Sequence, residues 1–190
     1  EVEDLLIETS AIMEGHFLLT SGLHSPRYVE KFNVLQKPVY TEKLCRAMAE
    51  KFKDANIETV VGPVTGGILL AHETGKPLGT RAIFTQRENG KMTFRRGVTL
   101  QEGERAPRVE DIVTTGGSIR EVIDVVKEHG GIPVAVSMLV DRSGGKATFG
   151  DVPSTALLHM DVQTYKPEEC PLCKAGIPMT KRGRTGKTEV

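Results

Sequence analysis

The sequence predicts an α/β fold, a central parallel sheet flanked by helices, and three observations carry that reading. Short apolar runs with the look of strands alternate with segments of helical spacing. The longest run, Pro133-Val-Ala-Val-Ser-Met-Leu-Val, is nearly continuous in apolar residues, as a strand covered on both faces requires. A further run, Val109-Glu-Asp-Ile-Val, leads into hydroxyl residues and glycines that open a helix, the unit from which such sheets are assembled. At 190 residues the chain has the size of one domain.

Taken in order, residues 3–13 space Leu5, Leu6, Ala11 and Ile12 as an amphipathic first helix. Residues 41–52 repeat the pattern, with Thr41 as N-cap and Leu44, Ala47, Met48 and Phe52 along one face. A strand is predicted over 59–62 and a helix from Gly66 that ends near Glu73, because Gly75 and Pro77 follow. A strand over 81–84 precedes a polar stretch, 85–97, read as a mobile hairpin or loop with its turn at Asn89-Gly90. A helix over 119–129 and the apolar strand over 133–140 complete the alternation. From Lys166 onward Pro, Gly and basic residues predict an extended, partly disordered tail. Its Gly186-Lys187-Thr188 has the ending of a P-loop, but Lys181 stands where the first Gly belongs and no strand precedes it, so that reading is rejected. There is no internal repeat and no low-complexity segment.

The 25 basic and 25 acidic residues cancel, which argues against a nucleic-acid partner and makes any anion site a local one. No apolar run is long enough for a membrane span, and the start, Glu1-Val-Glu-Asp, lacks the basic residues of a signal peptide. A cytoplasmic protein is expected, trimmed at its N-terminus since no initiator Met is present. Three cysteines argue against a disulfide framework. Cys170 and Cys173 supply only half of a structural zinc set, so a structural turn is preferred over metal binding or redox activity. His16, His24, His72 and His159 show no ligand or general-base spacing and are read as structural.

The chemistry concentrates in Glu110-Asp111-Ile112-Val113-Thr114-Thr115-Gly116-Gly117-Ser118. Without Cβ atoms, Gly116 and Gly117 let backbone N–H groups approach an oxyanion. The N-terminus of the following helix adds partial positive charge, and Thr114, Thr115 and Ser118 add hydroxyl donors. Two acids beside such a cradle would repel a phosphate unless they face sugar hydroxyls or a cation. The bland alternative is an acidic turn and a helix capped by Ser118.

This segment closely resembles the PRPP-binding motif of type I phosphoribosyltransferases. The resemblance implies that Glu110 and Asp111 hold the ribose hydroxyls and that the Thr114–Ser118 loop holds the 5-phosphate. Ala106-Pro107-Arg108 departs from the family, which has consecutive apolar strand residues there, and Pro and Arg suit a central strand poorly. Five further segments resemble orotate phosphoribosyltransferases. Gly15 to Tyr28 is similar to the hood over the pyrimidine, and Val61-Gly-Pro-Val-Thr65-Gly66-Gly-Ile to the pyrophosphate loop. Gln86 to Gly97 is similar to the flexible catalytic loop, and Asp141-Arg142 to the place where the family sets an Arg on orotate. Tyr165 to Pro178 resembles a C-terminal extension of one bacterial and archaeal subgroup.

By that resemblance the chain has a small N-terminal hood (about 1–35), a core (about 36–162) and a C-terminal extension (about 163–190). Lys91 and Asp111 are implied as catalytic, and PRPP contacts fall on Thr65, Gly66, Arg87, Lys91 and residues 110–118. Orotate contacts fall on Thr20, Ser21, Gly22, Tyr28, Thr114 and Arg142. Tyr28 either stacks on the ring or fills the hood, and Arg142 either clamps the carboxylate or pairs with Asp141. Thr20 and Gly66 stand where some members carry Lys, and the catalytic loop is not the Lys-rich form. Mg²⁺ is the implied cofactor, held mainly by PRPP with no assigned protein ligand, and a homodimer sharing the 85–97 loop is the implied assembly. A transferase for another nucleobase and a non-enzymatic PRPP-binding regulator are the alternatives.

Overall fold

The computed structural model describes residues 2–19 and 21–181. The chain opens with α1 (Val2–Glu8), the hairpin of β1 (Ile12–Leu18) and β2 (His24–Val29), a one-turn helix α2 (Phe32–Leu35) and α3 (Pro38–Glu50). Then follow β3 (Thr59–Pro63), α4 (Gly66–Leu78), β4 (Arg81–Glu88), β5 (Lys91–Phe94), β6 (Arg108–Val113) and α5 (Gly117–Glu128). The chain continues through β7 (Val136–Asp141), β8 (Ser154–His159), a 3₁₀ turn (Pro167–Glu169), α6 (Pro171–Lys174) and β9 (Thr180–Lys181). The main sheet has the order β5-β4-β3-β6-β7-β8, and every pairing in it is parallel except the β4–β5 hairpin. A second sheet has the order β2-β1-β9, with β9 parallel to β1, and its β1–β2 hairpin lies in the segment expected to be the hood.

Alternation along the central strands splits the core. Val60, Val109 and Leu139 pack with Leu44, Met48 and Leu70 of α3 and α4, while Val61 and Met138, each next to one of these on its strand, face the side of α5. On α5, Ile119, Val122, Ile123, Val125 and Val126 are buried at helical spacing, and each fully buried aliphatic side chain contributes about 1.5–3 kcal/mol. That stripe holds α5 against β6 and fixes where its N-terminus points.

Several expectations need correction. The first helix stops at Glu8 because Ser10 adopts φ 55°, and Ile12 instead pairs with Val29 in the hood. Thr41 is not an N-cap: α3 begins at Pro38, a residue suited to the first helical turn, and the Thr41 hydroxyl faces the carbonyls of Val34, Leu35 and Lys37. The helix after Gly66 runs on to Leu78 and ends at Gly79 with φ 66°. Gly75 allows that last turn to lie against the Thr80 carbonyl and Ala82, and Pro77 sits where the helix is already ending. The apolar strand begins at Val136 rather than Pro133, and β8, a half-exposed edge strand, went unpredicted. Residues 166–181 are not an extended tail but a 3₁₀ turn, α6 and β9; the Gly186-Lys187-Thr188 segment lies outside the described residues. Residues 85–97 do form a hairpin, with Asn89 and Gly90 both at positive φ in its turn.

Candidate active site

β3 is followed by a strand on one side of it and β6 by a strand on the other, so the loops leaving their C-terminal ends part and open a crevice. There a cleft of about 620 Å³ is lined by Thr65, Arg87, residues 110–118, Lys31, Gln86 and Met92. Thus the acids, the hydroxyl and glycine loop, Thr65 and Arg87 come together in one place.

The loop is shaped for an anion. Gly116 takes φ 78° as the residue before α5, and a Cβ there would meet Phe149 at 2.8 Å. Thr114, Thr115 and Ser118 are exposed toward solvent. Arg120 braces the loop from behind, donating to the carbonyls of Thr115 at 3.0 Å and Thr148 at 3.0 Å. On the β3 side, Gly67 lies so close to Gly62 and Pro63 that a Cβ on it would reach Pro63 Cδ at 2.5 Å. Strand and helix therefore turn over a minimal distance, and a cis peptide joins Val64 to Thr65.

The two acids are buried and separately neutralised. Asp111 pairs with Lys31 at 2.7 Å and accepts the Ile112 amide at 2.7 Å. Gly66 makes room for this carboxylate, since a Cβ there would sit 2.3 Å from Asp111 Oδ2. Glu110 pairs with Arg108 and accepts the Asp111 amide at 3.1 Å. Burial pushes the Glu110 carboxyl above the usual carboxylate range, with Arg108 opposing that rise. Burial likewise lowers the Arg108 guanidinium. Arg108, the residue that seemed to spoil the strand, is the countercharge beneath Glu110.

Apart from Arg87, the remaining described candidates are not among the residues lining this wall. Lys91 is exposed at the hairpin turn, opposite Glu88. Arg87 is held by α5 through Glu121, at 2.8 Å and 2.7 Å to its two oxygens. Ser21, Gly22, Tyr28 and Arg142 are not among the residues lining the cleft, and Thr20 lies outside the described residues. Tyr28 packs on Phe17 with ring centroids 5.6 Å apart. Arg142 does not pair with Asp141, whose carboxylate accepts the amides of Ser143 and Gly145 and contacts His159. Burial lowers the Arg142 guanidinium while Tyr28 opposes it, and Arg142 Nε is buried without a hydrogen-bond partner among the described residues. Lys31, Arg108 and Arg120 were missed by sequence reasoning; only Arg108 carried a signal, as a charge placed inside an apolar strand.

No family model matches the chain. The orotate phosphoribosyltransferase of Desulforamulus reducens is 52% identical over 183 residues, covering 96% of this chain and 95% of that protein. The orotate phosphoribosyltransferase of Thermotoga maritima is 46% identical over 185 residues, 97% of this chain and 98% of that one. Among solved structures, orotate phosphoribosyltransferase from Aeropyrum pernix matches with a TM-score of 0.69 at 23% identity, over 84% of this chain and 94% of that one, a likeness of fold.

Proposed function

Since the chain belongs to the orotate phosphoribosyltransferase family, we propose that it transfers the 5-phosphoribosyl group of PRPP to orotate, giving orotidine 5′-monophosphate and pyrophosphate in pyrimidine nucleotide synthesis. The observation that carries this reading is the cleft itself: a helix N-terminus over an open hydroxyl and glycine loop, beside two buried acids that each have their own cation. A phosphate can dock on the loop, where the helix end contributes up to about 2 kcal/mol. The acids can accept hydrogen bonds from sugar hydroxyls without repelling that phosphate, because Lys31 and Arg108 balance them.

In this mechanism the amides and hydroxyls of residues 114–118 fix the 5-phosphate, while Glu110 and Asp111 orient the ribose. The Thr65-Gly66 turn and Arg87 receive the pyrophosphate. As the C1–O bond lengthens toward an oxocarbenium-like centre, Lys91 and Arg87 stabilise the charge on the departing group, and orotate nitrogen attacks from the hood side. Ser21, Gly22, Tyr28 and Arg142, with Thr20 and Thr114, are the orotate contacts, Arg142 offering a planar fork to the carboxylate. The donor set fits an Mg²⁺ carried by PRPP, because both cleft acids are already paired and neither is a bare ligand. When bound, Mg²⁺ supplies positive charge to the leaving pyrophosphate.

The working unit is proposed to be a homodimer in which the 85–97 hairpin reaches the neighbouring cleft. In support, Lys91 is exposed and outside the wall of its own cleft. A cytoplasmic setting accords with three unpaired cysteines.

Loss of orotate absorbance on adding PRPP, with and without Mg²⁺, tests the activity against adenine, guanine, hypoxanthine and uracil. Metal-dependent consumption of orotate alone is expected. Turnover of another base would overturn the substrate, and PRPP binding without turnover would overturn the reaction. For the dimer, mixing a Lys91-deficient subunit with an Asp111-deficient one restores activity if sites are shared, and restores none if they are not.

A further inference from the structure

Away from the cleft, the hood and the C-terminal segment bring four metal-ligating side chains to one point. His16 on β1, His24 on β2, and Cys170 and Cys173 around α6 present one ligand atom each, all within 4.8 Å of one another. We propose that these four residues bind a structural zinc ion that ties the β1–β2 hairpin to the C-terminal segment.

The spacing approaches that of a tetrahedral site. Zinc bonds of about 2.3 Å to sulfur and about 2.0–2.1 Å to nitrogen place ligand atoms about 3.3–3.8 Å apart along the edges of a tetrahedron. Here His16 Nε2 lies 3.7 Å from both Cys170 Sγ and Cys173 Sγ, and Cys173 Sγ lies 3.3 Å from His24 Nδ1. The His16 Nε2 to His24 Nδ1 edge, 2.9 Å, is somewhat shorter than the bound value.

The contacts of His16 point the same way. His16 Nδ1 faces the Ile177 carbonyl at 2.8 Å, and a carbonyl accepts only, so this nitrogen carries the proton. In that tautomer the Nε2 lone pair turns into the cluster, with the ring's orientation set by an outer hydrogen bond as in metal-ligating histidines. One lone pair accepts one hydrogen bond, yet His24 and both sulfurs crowd this one. A single cation satisfies all four atoms. His16, His24 and Cys170 are 3%, 5% and 0% exposed, so an enclosed charge must be balanced, and two thiolates neutralise Zn²⁺. Two thiolates and two imidazoles favour zinc over harder ions, and four protein ligands leave no open position for catalysis.

The cross-link is long in sequence and short in space. Beside it, the hood meets this segment through the Phe17–Thr180 and Leu18–Lys181 pairs, the bridge between His24 and Tyr165, and hydrogen bonds from His16 to the Ile177 carbonyl and from Ser25 to the Gln163 carbonyl. Zinc would clamp both strands of the hairpin whose turn holds Ser21 and Gly22. On the activity proposed above, its loss should raise the KM for orotate more than that for PRPP.

The test does not depend on activity. The full chain, produced in zinc-replete medium and purified without chelator, is expected to hold close to one zinc per chain by elemental analysis. Replacement by Co²⁺ should give the visible bands and thiolate charge transfer of a tetrahedral site. Cys173→Ser, at an exposed position, keeps the fold and should lose the cobalt spectrum. Its zinc affinity should fall by more than the roughly 10–100-fold typical of losing an outer-shell partner. Chelator should lower the Tm of the parent chain and leave that of Cys173→Ser unmoved. Zinc-free protein whose two thiols react equally fast with and without added Zn²⁺ would overturn the proposal, as would a cobalt spectrum unchanged in Cys173→Ser.

Discussion

Arg108→Met tests whether Glu110 depends on its buried partner. Arg108 is 2% exposed and its Nη2 pairs with Glu110, 5% exposed; Nε and Nη1 find no hydrogen-bond partner among the described residues. Removing one member of such a pair strands the other charge, which costs about 3–5 kcal/mol. For a chain of this size that is a fall in Tm of roughly 6–20 °C. Because the guanidinium is only partly satisfied, replacing the whole pair should be far milder. The double variant Arg108→Met/Glu110→Met should recover most of the loss, short by about 1 kcal/mol because the Asp111 amide no longer reaches Glu110. The pH dependence has a defined sign. Burial raises the folded-state carboxyl of Glu110 above its unfolded value, against the pull of Arg108. Its contribution to stability is therefore complete below the unfolded value and is lost as pH rises through the raised one. Without Arg108 that value rises further, so the deficit of Arg108→Met should be larger at about pH 8 than at about pH 5. Urea unfolding of the parent, the single and the double variant at both pH values measures all of this. A single variant within 1 kcal/mol of the parent, or a double variant no more stable than the single, would refute the reasoning.

Other substitutions probe the cleft. Gly66→Ala puts a Cβ where Asp111 Oδ2 now lies, 2.3 Å away, so the carboxylate must shift; a rise in the KM for PRPP of about tenfold or more is expected in steady-state kinetics, and an unchanged KM would remove Asp111 from PRPP binding. Lys91→Ala should lower turnover far more than PRPP affinity, and equal effects on both would deny it a transition-state role. Glu121→Gln releases Arg87 from α5, an exposed pair whose loss should change unfolding stability by less than about 1 kcal/mol. The freed guanidinium should bind PRPP more tightly, and weaker binding by calorimetry would mean that Glu121 positions Arg87 instead of restraining it.

What could be read ahead of the structure followed the distance over which residues act. The phosphate loop was legible because its parts are contiguous: strand, acids, hydroxyls, glycines and helix start fall within residues 109–118, and backbone geometry alone brings them together. The alternation of strands and helices was legible for the same reason. Element ends were less so, because tertiary packing overrode local preference. Gly75 and Pro77 argue for an early stop, yet Thr74 and Gly75 are buried against the sheet and α4 runs to Leu78. At Ser10 the reverse held: helical spacing continued in sequence while one left-handed residue turned the chain into β1.

The charges of the site show why local reading falls short of chemistry. Glu110 and Asp111 invite assignment as ligands from their position alone, but how each carboxylate behaves is set by groups that periodicity cannot connect to it. Lys31 comes from the segment after β2 to reach Asp111, and Gly66 comes from α4 to leave that carboxylate room. Arg108 was visible, and its very oddness in an apolar strand was the clue: a buried cation needs a buried anion, and on one strand two residues apart lie on the same face. By that rule the pair with Glu110 follows from the sequence itself. The cluster of His16, His24, Cys170 and Cys173 permits no such shortcut, since the pairing of β9 with β1 and of Tyr165 with His24 must exist before Cys-Pro-Leu-Cys has any histidine to meet. A lone Cys-x-x-Cys in a chain with buried histidines therefore sets a question about topology, and only the folded hood answers it.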